Sequence, residues 1–204
     1  KEDSLEKFNQ IKSRNLRIYL MKSLNMTHFD IANVVFHKYK HEFVCSSSKK
    51  KSWFQFKNHR WHSLDDNVEL KRRISTDIVN EYLKLAADVS KLAAEMNDDD
   101  DQKDVEMERV KKISTIAIKL KVFNFKKNVL DECVELFYLN RFEEKLDTNI
   151  NLIGFENGVY DLVKHEFRDG TPEDYISCST GICYEEYSND DEDMIAVNNF
   201  IAQV

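Results

Sequence analysis

Glycine and proline are scarce, four and one in 204 residues. So few turn formers exclude collagen-like and low-complexity architectures and weigh against a sandwich or barrel, which needs many tight turns. Long apolar runs are missing as well: none approaches the roughly 20 residues that a bilayer-spanning helix requires. The opening KEDSLEKFNQ also lacks the apolar core of a signal peptide. A soluble, intracellular protein with no membrane partner is expected. Of Cys45, Cys133, Cys178 and Cys183, the last two alone are close in sequence, and no second Cys or His pair of metal-ligand spacing accompanies them. His37 and His41 have helical spacing, but without an intervening Glu or a third ligand they read as surface or capping histidines. No G-x-x-x-x-G-K-[ST] phosphate loop occurs. Glu143, Glu144 and Asp147, like Asp169, Glu173 and Asp174, read as solvated loop charge and not as a general acid–base pair. Binding without turnover, and no cofactor or metal of its own, is the expectation for this chain.

What is present is 42% hydrophobic and 33% charged residues, the composition of a mainly helical α+β protein with one or two cores. The net charge of −7 conceals a split. Lys1 to Arg73 holds 16 Lys+Arg against 8 Asp+Glu, a balance of +8, and Ile74 to Val204 holds 14 against 29, a balance of −15. The first part is the candidate for phosphate contact, and the acidic remainder is not expected along nucleic acid.

Apolar spacing predicts an amphipathic helix over Ser4 to Leu24 and a second one capped by Thr27, burying Phe29, Ile31, Val34, Val35 and Phe36 and ending near Tyr39 or Lys40. Phe43 to His62 alternates as a three-stranded meander in which both faces of the Trp53–Phe56 strand carry aromatics, so that one ring faces solvent or a partner. A helix of roughly 25 residues follows from Asn67. The acidic Asn97 to Asp101 run is expected to break it as an exposed loop. Helices over Val105 to Val122 and Phe125 to Tyr138 come next, with Asn124 as a cap between them. Asn157-Gly158 marks a hairpin through its tolerance of positive φ, Pro172 and Asp174 punctuate its exit, and an acidic loop over Glu185 to Asp193 precedes a final helix.

The basic residues gather in the predicted β-turns and at the start of the long helix: Lys49, Lys50, Lys51, then Lys57, His59 and Arg60, then Lys71, Arg72 and Arg73. With Trp53 and Trp61 between them they form a candidate nucleic-acid site, lysines for phosphates and rings for bases. A helix followed by a basic hairpin is similar to a winged helix. The alternative is that the lysines keep turns soluble and the tryptophans fill a core.

Two blocks carry a family likeness. LIGFENGVYDLVKHEFRDGTPEDYIS, Leu152 to Ser177, and THFDIANVVFHKYKHEFVCSSSKKKSWFQFKNHRW, Thr27 to Trp61, stand in the order found just upstream of the superfamily 3 helicase domain in poxvirus-type primase-helicases of large DNA viruses and phages. The chain resembles that family from about Thr27 to Val204. The resemblance implies viral DNA replication at a cytoplasmic site in the host cell. It also implies a parent enzyme that uses ATP and Mg to unwind DNA and that makes primers, with a primase centre lying before Lys1 and a motor beyond Val204. This segment would be a linker or collar with a winged-helix-like part, divided as 1–26, 27–73 and 74–204. Its partners would be single-stranded or forked DNA, the helicase and primase domains of the same chain, further copies in a hexamer, and other replication proteins. The competing expectation is a protein-interaction scaffold with no DNA affinity of its own.

Overall fold

In the computed structural model the described residues are 14–97, 101–188 and 192–202. The chain separates into two compact units, Lys1–Gln55 with His62–Glu143, and Phe56–Trp61 with Glu144–Val204. Its class is α+β and mainly helical, with two small antiparallel sheets.

The first unit begins with α1, residues 14–22, and a 3₁₀ turn Ser23–Asn25 closed by Met26 in the left-handed region at φ 61°. The part of the Ser4 to Leu24 helix before residue 14 lies outside the described residues. Helix α2, His28–Tyr39, is capped as its sequence predicts: Thr27 Oγ1 accepts the Asp30 N–H at 3.1 Å and donates to the Asp30 carboxylate at 2.6 Å. These bonds, with one from Asn25, hold the Asp30 carboxyl below its ordinary pKa. Ile31, Val34 and Val35 are buried, but Phe29 is 53% exposed, because it sits about 200° around the helix from Ile31.

Strands β1 (Phe43–Ser47), β2 (Ser52–Lys57) and β3 (Arg60–Leu64) form a meander in the order β1-β2-β3. β1 also bridges in parallel to Tyr138, with the Cys45 N–H donating to Phe137 O and the Leu139 N–H to Cys45 O, each at 3.0 Å. Both faces of β2 are consequently covered where a solvent-facing ring was expected: Trp53 packs on Phe137 and Phe54 on Phe142.

The long helix is continuous from α3 (Val68–Arg73) through a π-helical segment (Ile74–Ile78) into α4 (Val79–Ala94). The domain boundary expected at Arg73/Ile74 therefore falls inside one helix. Ile31, Phe43, Trp53 and Leu70 share a core with Ile74, Tyr82, Ile113 and Leu130. Within it the Ser23 hydroxyl donates to Leu20 O, so the Tyr82 phenol donates to Ser23 Oγ at 2.6 Å.

Helices α5 (Asp101–Lys119) and α6 (Phe123–Leu136) pack on α4 and α2 respectively. Asp101 opens α5 instead of extending a loop, a placement the helix dipole favours. Val122, not Asn124, precedes α6, and no side chain caps it.

In the second unit, β4 (Leu152–Phe155), β5 (Gly158–Asp161) and β6 (Glu166–Arg168) form an antiparallel sheet in the order β4-β5-β6, with Phe155 opposite Gly158. The hairpin is where Asn-Gly predicts it, but neither Asn157 nor Gly158 has a positive φ. Gly158 is required for space: a Cβ there would lie 2.6 Å from the Phe167 ring and 2.7 Å from Arg168 O. The positive-φ pair lies at the tip of the β2–β3 hairpin, Asn58 at 50° and His59 at 65°, the backbone signature of a type I′ turn. A 3₁₀ turn, Pro172–Asp174, carries a full capping box from Thr171, and α7 (Glu192–Ile201) ends the described chain.

Candidate nucleic-acid interface

The sequence predicts eleven contact residues, and the structure gives them different fates. Lys49, Lys50 and Lys51 are exposed in the β1–β2 turn. Lys51 spans 2.6 Å to Asp131, and Lys49 and Lys50 have no ion-pair partner among the described residues. Lys57 is exposed on the β2–β3 turn. Next to it His59 accepts the Gly170 N–H on Nδ1 at 3.2 Å, an interaction that uses its ring to hold the second unit together.

Both tryptophans are core residues. Trp53 is fully buried, with an indole N–H that has no acceptor. Trp61 is 3% exposed, stacks edge-on with Phe56 and donates its indole N–H to Pro172 O at 2.9 Å. Neither ring offers a face to a base, so the stacking expected of them is withdrawn.

All three arginines of the set are engaged by carboxylates. The Arg60 guanidinium forks onto Glu156 at 3.0 and 3.1 Å, and Glu156 also accepts from Ser179 at 2.7 Å. Arg72 forks onto Glu69 at 2.8 and 3.1 Å. Arg73 donates to Glu69 at 2.8 Å and to Glu42 at 2.7 Å while lying over the Tyr39 and Phe43 rings. Burial works against the Arg73 charge, yet its bonds to Glu69 and Glu42 raise its pKa above the usual value, and the bonds from Arg72 and Arg73 pull the Glu69 carboxyl down to about 2. This is a structural ion network, and a forked, neutralised guanidinium has little left to give a phosphate. Lys71 is different: its ammonium lies 4.6 Å over the Phe123 ring, with no carboxylate partner among the described residues. The geometry thus retains Lys49, Lys50 and Lys71 as unneutralised cations, all in the first unit, and removes Trp53, Trp61, Arg60, Arg72 and Arg73.

The cations of the predicted set left without a carboxylate are thus all lysines, carried on a mainly helical α+β scaffold. The chain belongs to the family described as "D5 N terminal like", whose pattern it matches over residues 32–204. It is 33% identical over 203 residues to a putative helicase of Acanthamoeba polyphaga mimivirus, covering 100% of this chain and 21% of that protein. It is 26% identical over 179 residues to a putative helicase of Frog virus 3, covering 74% of this chain and 18% of the relative. A putative helicase of Invertebrate iridescent virus 3 is 25% identical over 197 residues, 85% of this chain and 20% of its own length. The chain thus spans about a fifth of the length of these relatives. It is a domain of the kind that forms part of larger viral proteins named as putative helicases.

Proposed function

We propose that the chain is a non-catalytic collar of a viral replicative helicase of superfamily 3 type with an attached primase, holding the motor in register with its neighbours and contacting DNA on the way to it. Family membership carries this reading, together with the fifth of the relatives' length that the chain spans. ATP and Mg would be held by the motor, since the residues present do not fit them. The four glycines fall at 154, 158, 170 and 181, in strands and turns of the second unit, and none opens a helix in the manner of a phosphate loop. The neighbours would be further copies in a ring and the flanking domains of the same protein, at a cytoplasmic replication site.

The DNA contact would use the β1–β2 turn, in the manner of a wing. Fluorescence anisotropy of labelled single-stranded, duplex and forked DNA, at low and near-physiological salt, tests it. Binding that falls when Lys49 and Lys50 are both changed to Glu supports a contact in this module. A second reading, a scaffold for subunits and replication proteins without DNA affinity, draws on the internal neutralisation of Arg60, Arg72 and Arg73. It is correct if the wild-type chain binds none of these DNAs even at low salt.

A further inference from the structure

The acidic two-thirds of the chain contains a segment of the opposite character. From Arg109 to Leu130 there are seven Lys and Arg residues and no Asp or Glu. The structure folds this segment into the second half of α5, the turn after it and the first half of α6; Arg109 and Lys111 pair with Glu106 and Glu108 further back on α5, and Lys119, Lys121, Lys126 and Lys127 flank the α5–α6 turn at one corner of the first unit. Lys71 of α3 joins it by lying over Phe123. Lys126 donates to Ser75 Oγ at 2.6 Å, and Ser75 in turn donates to Leu120 O at 3.2 Å, so the serine is oriented with its lone pair toward the ammonium. Lys119 lies 5.6 Å over the Phe125 ring.

None of Lys71, Lys119 and Lys126 has a carboxylate partner among the described residues. Lys51, Arg60, Arg72 and Arg73 are each neutralised by a nearby carboxylate, and Lys49 and Lys50 stand in their turn without an exposed ring beside them among the described residues; cations together with an exposed ring, Phe123, are what separate this corner from the β1–β2 turn. Burial and the neighbouring Lys71 charge both lower the Lys126 pKa, the response of ammonium groups crowded together without a counter-charge. Phe123 is 61% exposed beside them, an apolar ring on the surface with a cation against it. Unpaired cations attract any polyanion, but an exposed ring among them adds energy where the polyanion also brings apolar surface, as an unpaired base does with its flat face.

We propose that the α5–α6 corner is a contact for single-stranded nucleic acid, with Lys71, Lys119 and Lys126 on successive phosphates and Phe123 stacked on a base. It rests on the reading that this module touches DNA and relocates the principal contact from the β-turn to the corner. Ring stacking gives the site its preference for unpaired strands, because duplex bases present no free face.

The test is anisotropy of a labelled oligothymidylate and a matched duplex with the 204-residue chain. Lys119→Glu with Lys126→Glu lowers single-strand affinity by about tenfold or more and flattens its salt dependence. Phe123→Ala lowers single-strand affinity by about fivefold or more and leaves duplex affinity unchanged. Because Lys126 contacts Ser75, the exposed pair Lys121→Glu with Lys127→Glu serves as a second charge reversal that leaves that contact in place. Circular dichroism confirms that each variant is folded. If the Lys49 and Lys50 reversals abolish binding while the corner variants bind as wild type, the corner proposal is overturned and the DNA-contact reading stands. If wild type binds no DNA at low salt, both fall. If a polyglutamate peptide binds as well as the oligothymidylate and Phe123→Ala affects neither, the corner is a docking site for an acidic protein partner and the nucleic-acid proposal is overturned.

Discussion

The Arg60 guanidinium meets the Glu156 carboxylate through two parallel hydrogen bonds of 3.0 and 3.1 Å, which makes a residue expected to touch DNA into a clasp of the second unit. Glu156 sits at the β4–β5 turn and its backbone N–H donates to Ile182 O at 2.9 Å, so one residue ties the hairpin to both the Arg60 segment and the chain beyond it. Arg60→Lys keeps the charge and loses the fork. It should cost about 1–2 kcal/mol in urea denaturation, with no change in DNA affinity by anisotropy. A loss of affinity without a loss of stability would restore Arg60 to the contact set.

Gly158→Ala should destabilise the second unit by about 1–3 kcal/mol, because the new methyl collides with the Phe167 ring and Arg168 O. The cost is steric, since the backbone there has no positive φ. Phe167→Leu in the same chain, which shrinks the ring opposite the methyl, should recover part of the loss in a double-mutant cycle. Simple additivity of the two substitutions would contradict the steric cause.

Much of the fold was legible because its signals are local. Thr27 and Asp30 are three residues apart and cap α2 as their types dictate, and Pro172 and Asp174, which mark the exit from the hairpin, stand in a 3₁₀ turn there. The Asn157-Gly158 hairpin lies where the dipeptide predicts it, but the glycine answers a side chain on β6, not a turn dihedral. Where the structure departs from the local pattern, the cause is a partner distant in sequence. Phe137 and Phe142 follow Trp53 and Phe54 by more than eighty residues and cover both faces of β2. Arg60 and Arg73 look like free cations until Glu156 and Glu42 are brought to them. The corner basic segment could have been found by counting charge in a window instead of in two blocks, because the −15 of the larger block masks a run without a single carboxylate.

Trp53 should be silent to DNA. In a Trp61→Phe chain it is the one remaining tryptophan, fully buried against Phe137. Its emission should be blue-shifted, resistant to iodide quenching and unchanged on titration with oligothymidylate, even while anisotropy records binding. Quenching by DNA would mean that β2 opens to expose the ring, and the contact set would have to include it.

The second unit should lose stability in acid, and Asp147 should account for part of the loss. Its carboxylate accepts from the Ser177 N–H at 2.7 Å, from the Ser177 hydroxyl and from the Cys178 N–H at 3.2 Å. Burial opposes its charge, but the bonds from Ser177 and Cys178 prevail and hold its pKa below the ordinary aspartate value. Asp174 is held low in the same direction, burial again being outweighed by the fork from Arg168 at 2.7 and 2.8 Å. A carboxyl whose folded pKa is depressed binds its proton more readily in the unfolded chain, so protons favour unfolding. The contribution is complete above the unfolded value of about 3.9 and disappears as pH falls through the folded one. Thermal melts of wild type and Asp147→Asn between about pH 7 and about pH 3 should therefore show a gap that is widest at neutral pH and narrows in acid. A gap that stays constant across the range would mean that the asparagine loses packing or geometry and that the Asp147 charge contributes nothing.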